Sequence, residues 1–145
     1  MKKLGFLFIS LILLGCNGTP KKENTSIATV NPKDCIKQIF EKDSVFGHIR
    51  NYDSEKASVT EAINNYVKNA KTLDFSNCPE GFETAFKKHV DAWLNFRKVS
   101  DKHPTLRGEL HEIFAMIEKT EDSIVFKSSL KQIFDTWTVV KEASK

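Results

Sequence analysis

The chain is 145 residues long, with 22 lysines and arginines against 19 aspartates and glutamates, a formal net charge of +3 and 40% hydrophobic residues. That length suits one compact domain built on one core. Lysines are interspersed with acids rather than clustered into a basic face, which excludes nucleic acid as the expected partner.

The first element is Met1-Lys2-Lys3 followed by an apolar run from Leu4 to Leu14. Two lysines, a short apolar core and a small residue ahead of a cysteine make a secretory signal. A membrane-spanning helix needs about 20 apolar residues, and this run is much shorter. Its end, Leu13-Leu14-Gly15-Cys16, resembles the lipobox of bacterial lipoproteins. The resemblance covers residues 1–16 and implies cleavage of residues 1–15, followed by acylation of Cys16 with palmitate-type chains. Each buried methylene adds about 0.8 kcal/mol of membrane affinity, and more than one chain makes the anchor stable. In lipoproteins of diderm bacteria the residue after the cysteine helps to sort the product. Asn17 is not the aspartate of inner-membrane retention, so the expected address is the outer membrane, facing the periplasm. Without residues 1–15 the chain keeps 130 residues and a charge of +1.

Residues 16–32 are polar and aperiodic beyond Cys16, and are expected to be a flexible, lipidated tether. The domain is expected over residues 33–145. Its first helical region, Lys33 to Asn51, starts an apolar face with Ile36, Ile39 and Phe40. Asp43 and Gly47 interrupt that face, so a kink or two short pieces is expected.

The second helix, Ser58 to Leu73, opens on a capping box, Ser58 with Glu61, with Ser54 as an alternative start. Val59, Ile63, Tyr66, Ala70 and Leu73 keep to one face. The third begins near Pro79, which suits a first turn, with Asn77 or Cys78 as the expected cap. Glu80 and Glu83 complement the dipole there, and the stripe is Phe82, Phe86, His89, Trp93 and Phe96. Asp101-Lys102-His103-Pro104 breaks this helix. A fourth carries Leu106, Leu110, Ile113 and Ile117. Beyond Thr120–Ser123 a fifth carries Phe126, Leu130, Ile133, Trp137 and Val140. No stretch alternates with the period of a strand. The expected fold is all-α, a single bundle of four to five mostly antiparallel helices.

With Cys16 acylated, Cys35 and Cys78 remain. An oxidising compartment favours a bridge, and an up-and-down bundle brings both cysteines to the same end. The alternative is two free thiols. A loop of about 40 residues closed by the bridge would stabilise by roughly 4 kcal/mol.

The chemistry-bearing residues are few. His89 points at the core from the middle of a stripe, where a histidine is either a hydrogen-bonded core residue or a ligand. A haem held in the bundle would need a second ligand from His48, His103, His111 or Met116. The Cys-x-x-Cys-His attachment motif, Glu-x-x-His pairs and zinc spacing are all missing from the sequence. Glu109, His111 and Glu112 read as an exposed charged run. There is no Gly-x-Ser-x-Gly elbow, so no catalytic residue is assigned. Three arginines, Arg50, Arg97 and Arg107, stand against 19 lysines. Arginine suits bidentate pairing with carboxylates, either in interhelical ion pairs or in an anion site. His89, Arg97, Arg107 and His111 are the expected lining of any ligand pocket. Phe75, Leu94, Phe114 and Phe134 flank the stripes, completing the core or forming an exposed patch. No cofactor or metal is expected. The expected function is that of a non-enzymatic binding or adaptor lipoprotein for another envelope protein. The alternatives are a small-molecule or haem-binding bundle using His89, and an envelope hydrolase.

Overall fold

The computed structural model describes residues 31–145. The expected signal peptide, Cys16 and tether residues 17–30 lie outside the described residues. Within them are five helices and no strand: α1 (Pro32–Lys56), α2 (Val59–Ala70), α3 (Glu80–Ser100), α4 (Leu110–Ile117) and α5 (Ser123–Ala143). The fold is the all-α bundle that the apolar periodicity predicts.

The helix at the start of the domain departs most from expectation. It is one continuous helix, extends past Asn51 to Lys56, and takes in Pro32 from the expected tether. Asn31 caps it, its side chain accepting from the Lys33 N–H at 3.0 Å, and Pro32 loses nothing by lacking an N–H in the first turn. Asp43 and Gly47 do not break it, because the face on which they lie goes on as Arg50 and Ser54, at spacings of four, three and four. Polar and small residues there continue the buried side that Ile36 and Ile39 begin. Ser54 therefore closes α1 and does not open α2. Its buried hydroxyl bridges Asn51 O at 2.7 Å and Gly108 O at 3.0 Å, while the Gly108 N–H donates to Ser54 O at 3.0 Å. Gly108 has φ +132°, a region that residues with a Cβ rarely adopt.

α2 starts as expected: the Ser58 hydroxyl accepts from the Glu61 N–H at 3.2 Å. At the start of α3 the expected caps are replaced by Pro79, without a side-chain bond. Cys78 is engaged instead in a disulfide with Cys35, their Cα atoms 5.3 Å apart, which is within bridging range. Leu106 lies before α4 rather than in it, since the turn at Gly108 intervenes.

α3 is the central helix. Phe82, Phe86, Val90, Trp93, Phe96 and Val99 are all buried on it. It packs against α5 on one side and α2 on the other, and α2 packs against α1. Pairings run antiparallel: His89 meets Thr136 while Phe96 meets Phe126 across α3 and α5. Likewise Thr60 meets Ser100 and Tyr66 meets Trp93 across α2 and α3. Phe114 fastens α4 against Phe96 and Phe126, at centroid distances of 5.4 Å each.

The outer helices α1 and α5 meet edge to face through Phe40 and Trp137, 5.7 Å apart. Elsewhere they leave an open seam. Hollows follow it along its length: first Ile36, Phe40 and Ser44 with the chain end at Ser144 and Lys145. Next come Asp43, Gly47 and Arg50 with Phe134 and Trp137, then Arg50 and Asn51 with Leu130 and Phe134. In the middle of the seam its floor is α3, at His89 and Trp93.

Candidate functional site

The middle of this seam holds a cluster of polar and aromatic side chains drawn from α1, α2, α3 and α5. Arg50 of α1 lies over Trp93 of α3, its guanidinium carbon 3.8 Å from the ring centroid, and 4.9 Å from the centroid of Tyr66 of α2. Cation–π attraction of this kind holds the cation against the ring faces without supplying its N–H donors with oxygen acceptors. Among the described residues no carboxylate lies at ion-pair distance from Arg50. Its single side-chain hydrogen bond is a long one, from Nη2 to Asn51 Oδ1 at 3.4 Å, and the buried Nε has no partner. Burial pulls the Arg50 pKa below the ordinary arginine value, opposed by the nearby Tyr66 and Asp43. Guanidinium remains cationic at any physiological pH.

Asp43 is the acid whose charge acts on Arg50, and its carboxylate has another partner. The Tyr66 hydroxyl donates to Asp43 Oδ1 at 2.8 Å. Burial raises the Asp43 carboxyl, with the Tyr66 bond and the Arg50 charge working against the rise. Burial and the neighbouring carboxylate also push the Tyr66 phenol upward, so it stays a donor.

His89 forms the floor and is buried, with 5% of its surface exposed. The Trp93 indole N–H donates to its Nε2 at 3.2 Å, and its Nδ1 lies 3.1 Å from Thr136 Oγ1. Since Nε2 accepts, Nδ1 carries the proton and donates. The His89 pKa is lowered to about 4, first by burial and then by the charge of Arg50. Both ring nitrogens are engaged within the bundle, so ligation of a haem iron would require breaking one of these bonds. Trp137, 5.0 Å from the imidazole centroid, covers it from α5.

Two hollows meet at Arg50. One, of about 240 Å³, is walled by Asp43, Gly47, Tyr66, Phe134 and Trp137. The other, of about 510 Å³, is lined by Leu110, Phe114, Leu130, Ile133 and Phe134, with Glu55, Glu109 and His111 at its rim. Phe134 borders both and is 62% exposed. Of the flanking aromatics and leucine read from the sequence, it is the one that stands out into solvent. Phe75 is buried, and Leu94 and Phe114 pack partly buried against the core.

The four expected pocket residues are not brought together. His89 and His111 line the two adjoining hollows, His111 being exposed and 3.0 Å from Glu109. Arg97 lies beside Asp101 at 3.5 Å, and Arg107 donates to the carbonyls of Pro104 and Leu106. Neither arginine borders the two hollows at Arg50. The arginine that does so was visible as one of three, and the signal that singles it out is the run Asp43, Gly47, Arg50, Ser54 on the buried face of α1.

Comparison with protein-family models, curated proteins and solved structures finds no match to this chain. Among the described residues, no three His, Cys, Asp or Glu side chains converge in a way that could hold a metal ion, and no helix is long and apolar enough to cross a membrane. A further concavity of about 510 Å³ at the α2–α3 turn, lined by Leu73, Phe75, Phe86 and Val90, contains no unpartnered buried polar side-chain atom. Among the described residues Arg50 Nε, Arg97 Nε and His103 Nε2 are buried without a hydrogen-bond partner, and of these three residues Arg50 is the one that borders the hollows of the seam.

Proposed function

We propose that this protein is a membrane-anchored lipoprotein of the bacterial envelope that acts as a binding module. It holds a segment of another envelope protein in the seam between α1 and α5. The observation that carries this reading is the open seam itself. A bundle that only needed to be stable would close α1 onto α5, yet here Arg50, Trp137 and the largely exposed Phe134 face an open channel. Tryptophan, tyrosine and arginine around a concave centre are the residue types that dominate protein–protein binding energy. The lipobox-like sequence at Leu13–Cys16 supports the address, with acyl chains on Cys16 as the anchor and the outer membrane, periplasmic face, as the site of action.

Two experiments test the reading. A photocrosslinking residue at position 134, in the native envelope, is expected to trap one discrete protein that is not trapped from position 68, on an exposed part of α2. Phe134→Lys is expected to abolish co-purification of that protein while leaving the helical signal intact. Equal trapping from both positions, or co-purification indifferent to Phe134→Lys, removes the seam as the docking site. Incorporation of a palmitate analogue that is lost on Cys16→Ser tests the anchor separately.

A further inference from the structure

We infer that the Arg50 hollow is a carboxylate-binding site, in which the guanidinium edge takes one planar carboxylate borne on an apolar body lying against Phe134 and Trp137. This deepens the seam reading, since in that reading the carboxylate comes from an acidic residue of the bound segment.

The inference rests on how Arg50 is used. Trp93 and Tyr66 hold the guanidinium carbon over their rings, at 3.8 and 4.9 Å from the centroids. Its in-plane donors are left with one weak bond, to Asn51. A planar fork of N–H groups held against aromatic rings, with one long bond to Asn51 as its only side-chain acceptor, is a group that a carboxylate satisfies with two parallel hydrogen bonds. A cation half-buried among aromatics is costly without a partner, and the bundle supplies none at contact distance.

Asp43 does not fill that role: it stays beyond ion-pair distance of the guanidinium, and its Oδ1 accepts from the Tyr66 hydroxyl. The surrounding charges narrow the choice of anion. Asp43 shares one hollow with Arg50, and Glu55 and Glu109 share the other. Repulsion from these acids is twice as large for a dianion as for a monoanion, so a carboxylate fits better than a phosphate or phosphonate. The walls beside the guanidinium are Phe134, Trp137 and Ile133, so the body that carries the carboxylate is apolar.

The chain contains two tryptophans, Trp93 and Trp137, and both border this hollow. Their indole N–H resonances therefore give a two-signal readout in the full chain held in detergent micelles. The probes are benzoate, with benzamide and phenylphosphonate as its neutral and dianionic counterparts. A second pair consists of an apolar peptide with a single glutamate and its glutamine twin. Benzoate is expected to shift both indole signals saturably, with the two counterparts weaker by roughly tenfold, the usual scale for losing one charge-assisted bidentate contact. Arg50→Met is expected to remove the response and Arg50→Lys to weaken it, because lysine keeps the charge and loses the fork. Phe134→Ser, at an exposed position that places no demand on folding, is expected to weaken benzoate several-fold through the lost apolar wall. Benzamide matching benzoate, or Arg50→Met binding as wild type, overturns the inference.

The peptides separate it from the seam reading. Preference for the glutamate peptide supports both. Benzoate binding with neither peptide bound keeps the carboxylate site, assigns it to a free acid and removes the adaptor role. Equal binding of both peptides, without a benzoate response, keeps the seam and removes the carboxylate site.

Discussion

The Trp93 indole N–H donates to His89 Nε2 at 3.2 Å, and this one bond fixes the imidazole as a neutral ring protonated on Nδ1. Protonating Nε2 would set two N–H groups against each other in a buried site that Arg50 already makes positive. The folded pKa of about 4 lies below the ordinary histidine value of 6.5. The unfolded chain therefore takes up a proton near pH 6.5 and the folded chain only near pH 4. Stability from this group is full above pH 6.5 and falls as the pH drops towards 4, by roughly 3 kcal/mol across that window. Urea unfolding at a series of pH values is expected to show the slope, and His89→Gln, which can still accept from Trp93, is expected to flatten it. A variant with an unchanged slope would assign the acid sensitivity to another group.

Tyr66→Phe removes the hydroxyl that donates to Asp43 and leaves a half-buried carboxylate without that donor. The expected cost is about 1–2 kcal/mol at neutral pH, read as a lower urea midpoint. The same change made on an Asp43→Asn background is expected to cost less, because no charge is left unsatisfied. Additive effects would show that the two groups do not act together.

Reducing Cys35–Cys78, or replacing both residues by serine, is expected to lower stability by about 4 kcal/mol, the chain-entropy value for a loop of this length. The first turns of α1 are expected to lose hydrogen-exchange protection ahead of α3, since the bridge fastens the start of α1 to the segment leading into α3. Uniform loss of protection along the chain would instead indicate an effect confined to the unfolded state.

Gly108→Ala combines a φ of +132° with a new Cβ that would stand 3.1 Å from Glu112 Oε2. The carboxylate can swing away but the backbone conformation cannot be relieved so easily, and the expected cost is about 1–3 kcal/mol. Because Gly108 and Ser54 exchange bonds across the loop, Ser54→Ala is expected to destabilise as well, and less than additively with Gly108→Ala. Strict additivity in thermal unfolding would separate the two.

The fold was legible because α2, α3 and α5 carry stripes at spacings of four and three that are apolar except for His89, and such stripes dictate helices that must pack. The Cys35–Cys78 pairing followed from the same up-and-down topology. α1 was misread for the reason that makes it interesting. Its buried face holds Asp43, Gly47 and Arg50, and a search for apolar periodicity treats these as interruptions. They are tolerated because Tyr66 and Trp93 reach them from two other helices, and those contacts span 23 and 43 positions along the chain. Arg97 and Arg107 were the arginines expected at a pocket, yet Arg97 lies beside Asp101 and Arg107 donates to the carbonyls of Pro104 and Leu106, both away from the hollows at Arg50.

The position of Cys35, one turn inside the Asn31 cap, gives the bridge a mechanical meaning as well. In a protein held to a membrane through Cys16, as proposed above, any pull on the anchor enters the folded domain at Asn31. Within four residues that load crosses the covalent link to Cys78 and reaches the foot of α3, the helix with the largest buried face. The hydrogen bonds of α1 beyond Cys35 are bypassed, so tension from the membrane does not peel this helix from the bundle. In a chain anchored in that way, the wall of the seam that α1 provides keeps its shape under the load.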